Sequence, residues 1–172
     1  MQALVTYESM YGNTAKIAQA IAEGLRANGF EADVAPIDEV DADRVAVHDL
    51  LVVGGPTHIH GMSRSSTRAV AAKDTKNTFE HPTVAPGLRT WLGELPGGGG
   101  MAAAAFDTRM QGSKLVTGSA AKGIGRQLRS RGYRLVDGES FLVSKDNWLE
   151  PGEVHRATTW ARQLAHELTV PV

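Results

Sequence analysis

The chain contains no cysteine, and this one absence removes disulfides, iron–sulfur ligation and thiol redox chemistry together. Any electron chemistry has to come from a bound cofactor. No apolar run approaches the ~20 residues of a membrane-spanning helix, so no membrane partner is expected. Positive charge is not in excess: 18 Lys and Arg stand against 19 Asp and Glu, a formal net charge of −1. A dedicated nucleic-acid binder would show a clustered basic surplus. A strongly acidic carrier, steered onto a basic partner, would show the opposite imbalance. The first residues, Met1-Gln2-Ala3-Leu4-Val5, lack the basic and apolar regions of a signal peptide, and a cytoplasmic protein is the expectation.

What is present is an ordinary globular composition, 42% hydrophobic and 22% charged over 172 residues. That length suits a single domain spanning 1–172. Short aliphatic runs alternate with amphipathic stretches, the pattern of a parallel sheet with helices on both faces. Ala3–Tyr7 reads as the first strand. A helix over Asn13–Asn28 follows, with Ile17, Ala18, Ile21, Ala22 and Leu25 on one face and Gly29 placed to end it. Glu31–Ile37 reads as the second strand, whereas Asp38–Asp43 is too polar to assign. Leu50–Val53 is continuously apolar, as a strand buried on both faces should be. Met101–Phe106 is the fourth strand. Ser119–Arg131 reads as a helix with Ser119 as N-cap. Tyr133–Val136 and Ser140–Val143 read as two pieces of a fifth strand. A last helix starts near Pro151, with Val154, Ala157, Ala161, Leu164 and Leu168 facing inward. The long polar connection Gly61–Thr90 departs from this rhythm, with helical stretches predicted around Ser66–Lys73 and Pro86–Leu95.

The stretch that carries chemistry is Ser9-Met10-Tyr11-Gly12-Asn13-Thr14, between the first strand and the first helix. A helix N-terminus offers unpaired N–H groups and the positive end of the dipole, both suited to a phosphate dianion. Ser9 and Thr14 add hydroxyls, and Gly12 lets the backbone approach an anion closely. No Lys or Arg occupies the loop, so a terminal monoester phosphate suits it better than a triphosphate, which calls for the G-x-x-x-x-G-K-[ST] lysine. The dinucleotide pattern G-x-G-x-x-G is absent from this turn.

Ser9-Met10-Tyr11-Gly12-Asn13-Thr14, followed by Ile17-Ala18 and Ile21, resembles the phosphate-loop signature of the flavodoxin family. The wording is most similar to flavodoxin modules of flavodiiron proteins and to flavodoxin-like NAD(P)H:quinone oxidoreductases. Thr6 departs from that family, which usually carries an apolar or aromatic residue there. The resemblance implies an α/β three-layer sandwich around a five-stranded parallel sheet in order 2-1-3-4-5. It also implies FMN at the ends of the strands, with its phosphate on Ser9–Thr14. Two further loops would then meet the flavin: Gly54-Gly55-Pro56-Thr57-His58-Ile59-His60-Gly61, through Pro56, Thr57 and His58, and Asp107-Thr108-Arg109-Met110-Gln111-Gly112, through Asp107, Thr108 and Arg109. Neither loop contains the Trp or Tyr with which flavodoxins sandwich the ring. His58, Ile59, His60 and Met110 are the surfaces available instead, and Tyr11 either lines the site or packs on a neighbouring loop. Arg109 either stands near the ring edge, making the flavin less reducing, or faces solvent or Asp107.

Other features read as structural. His58-x-His60 lacks the acids of a metal shell. His48, His81, His155 and His166 are scattered, and Trp91, Trp148 and Trp160 read as packing anchors. Arg64, Arg68, Lys73 and Lys76 form either a docking site for an acidic partner or the phosphates of NAD(P)H, or a solvated loop. The expected function is an FMN electron carrier serving a redox partner protein or a small-molecule donor or acceptor. A quinone oxidoreductase and a flavin-free interaction module are the alternatives.

Overall fold

The computed structural model describes residues 1–58, 61–62, 87–112 and 118–170. Five parallel strands form one sheet: β1 (Gln2–Tyr7), β2 (Glu31–Pro36), β3 (Leu50–His58), β5 (Ala102–Met110) and β6 (Arg134–Val143). Their order is β2-β1-β3-β5-β6, which is 2-1-3-4-5 when only the parallel strands are counted. The two-residue β4 (Gly61–Met62) folds back antiparallel onto the end of β3, pairing Met62 with Thr57 and Gly61 with His58. The helices are α1 (Asn13–Arg26), α2 (Ala42–Ala46), α3 (Leu88–Glu94), α4 (Ala120–Ser130) and α5 (Glu153–Thr169).

Alternation along the buried strands divides the core into two layers. Ala3, Val5, Leu50, Val52, Ala102 and Ala104 face α1 and α5. Leu4, Leu51, Val53, Ala103 and Ala105 face α3 and α4. The alanine run of β5 keeps the sheet thin at its centre, and Phe106 then fills the first layer in edge-to-face contact with Phe141 at 6.4 Å. Phe141 meets Trp160 in the same way at 6.1 Å. Phe106 needs Gly54 beside it, since a Cβ there would stand 2.0 Å from the ring's Cζ.

Most predicted elements appear within a residue or two of their expected bounds, including the α4 N-cap, where Ser119 accepts from the Lys122 amide. Gly29 takes φ of 88° after α1, as a helix-ending glycine should. The polar segment after β2 forms a short 3-10 turn, Ile37–Glu39, and then α2, capped by Asp41. Trp91 and Trp160 are buried, their indole N–H groups donating to the Val40 carbonyl and to Asp137. His48 is buried as well, with its Nδ1 2.7 Å from the Arg44 carbonyl oxygen.

Four expectations are corrected. The fifth strand is one continuous element; a register shift between Ala103 and Ala104 skips Val136 and mimics a break in the pattern. The last helix begins at Glu153 with Gly152 as N-cap at φ 88°, so Pro151 precedes the helix instead of opening it. Val154, in the first turn of α5, is exposed. Trp148 is 68% exposed and stands outside both core layers. The second predicted helix of the long connection is α3, whereas Ser66–Lys73 lies outside the described residues.

Thr6, the family departure, is completely buried, and its hydroxyl has no hydrogen-bond partner among the described residues. Burying an unpaired hydroxyl costs free energy that a methyl of the same shape does not. Thr6→Val is therefore expected to stabilise the fold by ~1 kcal/mol, read as a raised midpoint in urea denaturation with an unchanged slope.

Candidate functional site

The carboxyl ends of β1, β3 and β5 converge where strand order reverses on either side of β1, the place at which open α/β sheets form a crevice. Beyond Tyr7 the Glu8 amide donates to the Gly54 carbonyl at 3.0 Å, tying the start of the loop to β3. Ser9 then holds the loop in shape: its Oγ accepts from the Gly12 amide at 3.1 Å and the Ala15 amide at 3.4 Å. Gly12 is the N-cap of α1, left-handed at φ 82°, and provides no side-chain cap. A bulkier residue would be strained in that conformation. Among the first-turn amides of α1, that of Ala15 is taken by Ser9 Oγ, while the N-cap itself offers no side-chain acceptor to the others.

Thr14 and Thr108 join α1 to β5, their hydroxyl oxygens 2.8 Å apart. Asn13 donates its Nδ2 to the Asn147 carbonyl at 2.7 Å, which binds the loop after β6 to the start of α1. These ties enclose a cavity of about 220 Å³. Met10, Tyr11, Asn13 and Thr14 line it from the first loop, Pro56 and Thr57 from β3, and Thr108, Arg109 and Met110 from β5. The three segments singled out in the sequence therefore meet at one cavity.

The geometry differs from expectation in two respects. Pro56, Thr57 and His58 belong to β3, and Asp107, Thr108 and Arg109 to β5, so these are strand ends and not loops. The parallel register pairs Asp107 with Gly55 and Thr108 with Pro56, and the ladder outlasts the apolar run from which strand length was read. Asp107 also stands behind the cavity instead of lining it. Its carboxylate faces α4, where Oδ2 accepts from Thr57 Oγ1 at 3.0 Å, Ser119 Oγ at 2.7 Å and the Ala121 amide at 2.9 Å. The Thr57 hydroxyl in turn accepts from the Ala120 amide at 2.8 Å. Arg109 is buried at the cavity wall and donates from Nη1 to the Gly112 carbonyl at 2.9 Å. It neither faces solvent nor pairs with Asp107 among the described residues. The backbone of His58 is in β3; its side chain, with Ile59 and His60, lies outside the described residues, as does the basic stretch Arg64–Lys76.

Val143 and Asn147 line the cavity without having been anticipated. Ser144-Lys145-Asp146-Asn147 is turn chemistry, and Asn147 adopts a left-handed φ of 62°. That signal marks a turn in the sequence, but its position beside α1 follows only from the sheet order. Tyr7 closes β1 with its hydroxyl pKa raised, first by burial and then by Glu39 and Asp38, so it remains a neutral donor.

Comparison with known proteins agrees with this architecture. The family model "Flavodoxin" matches residues 5–113. An uncharacterised protein of Methanocaldococcus jannaschii is 30% identical over 95 residues, 53% of this chain and 24% of that protein. The chain thus matches about a quarter of the length of that curated relative. Flavodoxin 2 of Bacillus cereus superposes with a TM-score of 0.69 at 19% identity, covering 97% of this chain and 99% of that one. The flavodiiron protein of Giardia intestinalis gives 0.61 at 22% identity, over 96% of this chain and 35% of its own. The chain belongs to the flavodoxin family, a class of flavin-binding electron-transfer proteins.

The Asp107 network makes a prediction about stability. Asp107→Ala would leave two hydroxyls and an amide without their buried acceptor, at a cost of ~2–3 kcal/mol. In urea denaturation Thr57→Val should be non-additive with it, because both substitutions break the same network.

Proposed function

We propose that this chain binds FMN and serves as an electron carrier between a redox partner protein and a small-molecule or protein donor. The observation that supports it most is the cavity beside the N-terminus of α1, where the left-handed N-cap Gly12 offers no side-chain acceptor and where Asn13, Thr14, Thr57 and Thr108 line the wall together with Arg109. Such a donor set fits a monoester phosphate dianion. At about 220 Å³ the cavity is smaller than the ~300–1,000 Å³ of a complete cofactor site, and it suits the phosphate and sugar chain.

In this reading Ser9, Met10, Tyr11, Gly12, Asn13 and Thr14 hold the phosphate. Ser9 does so indirectly, by fixing the Gly12 and Ala15 amides. Pro56, Thr57 and His58 on β3, with Thr108 and Arg109 on β5, border the remainder of the cofactor. Asp107 is a positioning residue, which locks β5 and β3 to α4 from behind. The flavin, when bound, supplies the one- and two-electron chemistry that no side chain here offers. The balance of 18 basic and 19 acidic residues keeps a second reading, an NAD(P)H:quinone oxidoreductase of the same fold, and NAD(P)H oxidation with a quinone acceptor tests it.

Titration of the apo-protein with FMN, followed by flavin fluorescence, is the direct test. Saturable quenching is expected with FMN and far weaker quenching with riboflavin, which lacks the phosphate. Equal binding of the two would remove the phosphate-loop assignment. Thr14→Val is expected to weaken FMN binding by about tenfold, the worth of one hydrogen bond to a charged group.

Arg109 bears on the potential. A buried guanidinium at the cavity wall favours added negative charge on the cofactor, so Arg109→Leu should lower the two-electron potential of bound flavin by about 30 mV, equivalent to ~1.4 kcal/mol. Spectroelectrochemical titration reads this shift. An unchanged or raised potential would place Arg109 outside the flavin's field.

A further inference from the structure

A second cavity lies outside this site, in a groove of about 350 Å³ between α4 and the edge strand β6. Lys122, Arg126 and Arg129 line its helix side at i, i+4 and i+7, a single stripe about 10 Å long. All three are exposed, and none has a side-chain hydrogen bond or ion pair among the described residues. The chain is nearly neutral as a whole, yet residues 120–134 contain Lys122, Arg126, Arg129, Arg131 and Arg134 and no Asp or Glu. Arg131 is engaged elsewhere, on the Leu95 and Gly93 carbonyls.

The strand side of the groove explains why the stripe is not neutralised internally. β6 carries two acids, Asp137 and Glu139. Strict alternation from Leu135, which faces the α4 layer, would turn both toward the cations. The bulge at Val136 prevents this: Leu135 pairs with Ala103 and Asp137 with Ala104, so every residue after the bulge changes face. Asp137 accepts from the Trp160 indole at 2.7 Å, and Glu139 stands 3.4 Å from Arg156 Nη1, both on the α5 side. Leu135, Gly138 and Ser140 are left beneath the cations. Gly125 allows the close approach of α4, since a Cβ there would come within 2.7 Å of Leu135 Cδ2.

We propose that this groove is the docking surface for an acidic segment of the redox partner protein. The proposal rests on the carrier reading above and adds the partner's chemistry and its place of contact. Charge complementarity sets the sign of the partner, and the length of the stripe sets its form: three cations over two helical turns match an extended acidic chain better than a single phosphate. The groove also begins beside the site. Ser119, at one end of it, donates to Asp107, and Ser140 pairs with Asp107 across the sheet. A partner held there lies against the strand that borders the flavin cavity.

The test uses the full chain, a fluorescein-labelled octaglutamate peptide and inorganic pyrophosphate as probes. Amide shift changes on adding the peptide should concentrate at residues 119–140, and affinity should fall as salt rises. The triple variant Lys122→Gln, Arg126→Gln, Arg129→Gln should lose about tenfold or more in peptide affinity while its thermal midpoint and FMN titration stay unchanged. Peptide shifts spread over other basic surfaces, or an unaltered affinity in the triple variant, would overturn the proposal. Pyrophosphate binding the same residues as tightly as the peptide would overturn it too, by making the groove a small-anion site. FMN titration of the parent chain is read separately, so failure of the flavin reading and failure of the docking surface are distinguishable.

Discussion

One carboxylate oxygen holds the functional end of the molecule together. Asp107 Oδ2 accepts from a β3 hydroxyl, an α4 cap hydroxyl and an α4 amide, with no exposure to water. Burial of this carboxyl is offset by the three donors on Oδ2, while Oδ1 is buried with no hydrogen-bond partner among the described residues. The consequence is geometric. β3 and β5 cannot shift against each other without breaking the network, and α4 cannot tilt away from either strand. The cavity on the opposite face, bounded by Thr14 and Thr108, takes its width from that constraint. Rigid support from behind is what a cofactor site needs when few side chains contact the ligand.

The central strands were legible because both of their faces are buried. Leu50–Val53 and Ala102–Phe106 show as continuous apolar runs, and nothing in their surroundings overrides that pattern. Their extensions through His58 and Met110 were not, because Pro56, Thr57, Asp107, Thr108 and Arg109 look like loop residues by composition. They remain in strands because the parallel ladder continues beneath them. The edge strand misled for a related reason: the skipped Val136 shifts the polar–apolar period, and a bulge in one strand is defined only by its partner.

The site was legible in parts. Ser9–Thr14 announced itself through residue type and position at a strand-to-helix turn. Asp107 carried the right element but the wrong face, and the alternation from Phe106 is what turns it toward α4. Asn147 was hidden for a different reason: its role is a backbone carbonyl offered to Asn13, and a carbonyl leaves no mark in residue chemistry.

The loop that carries Asn147 also gives the protein an optical asymmetry. Two of its three indoles are shut in the core, Trp91 and Trp160, while Trp148 stands in solvent one residue from the cavity lining, with the Lys16 ammonium 6.0 Å from its ring. The emission of the folded chain is therefore a sum of two buried chromophores and one hydrated one, and only the hydrated one shares a loop with the cavity wall. A red-edge component of the intrinsic fluorescence belongs to that loop, and the molecule carries within its own sequence a probe of the wall that sequence patterning left unseen.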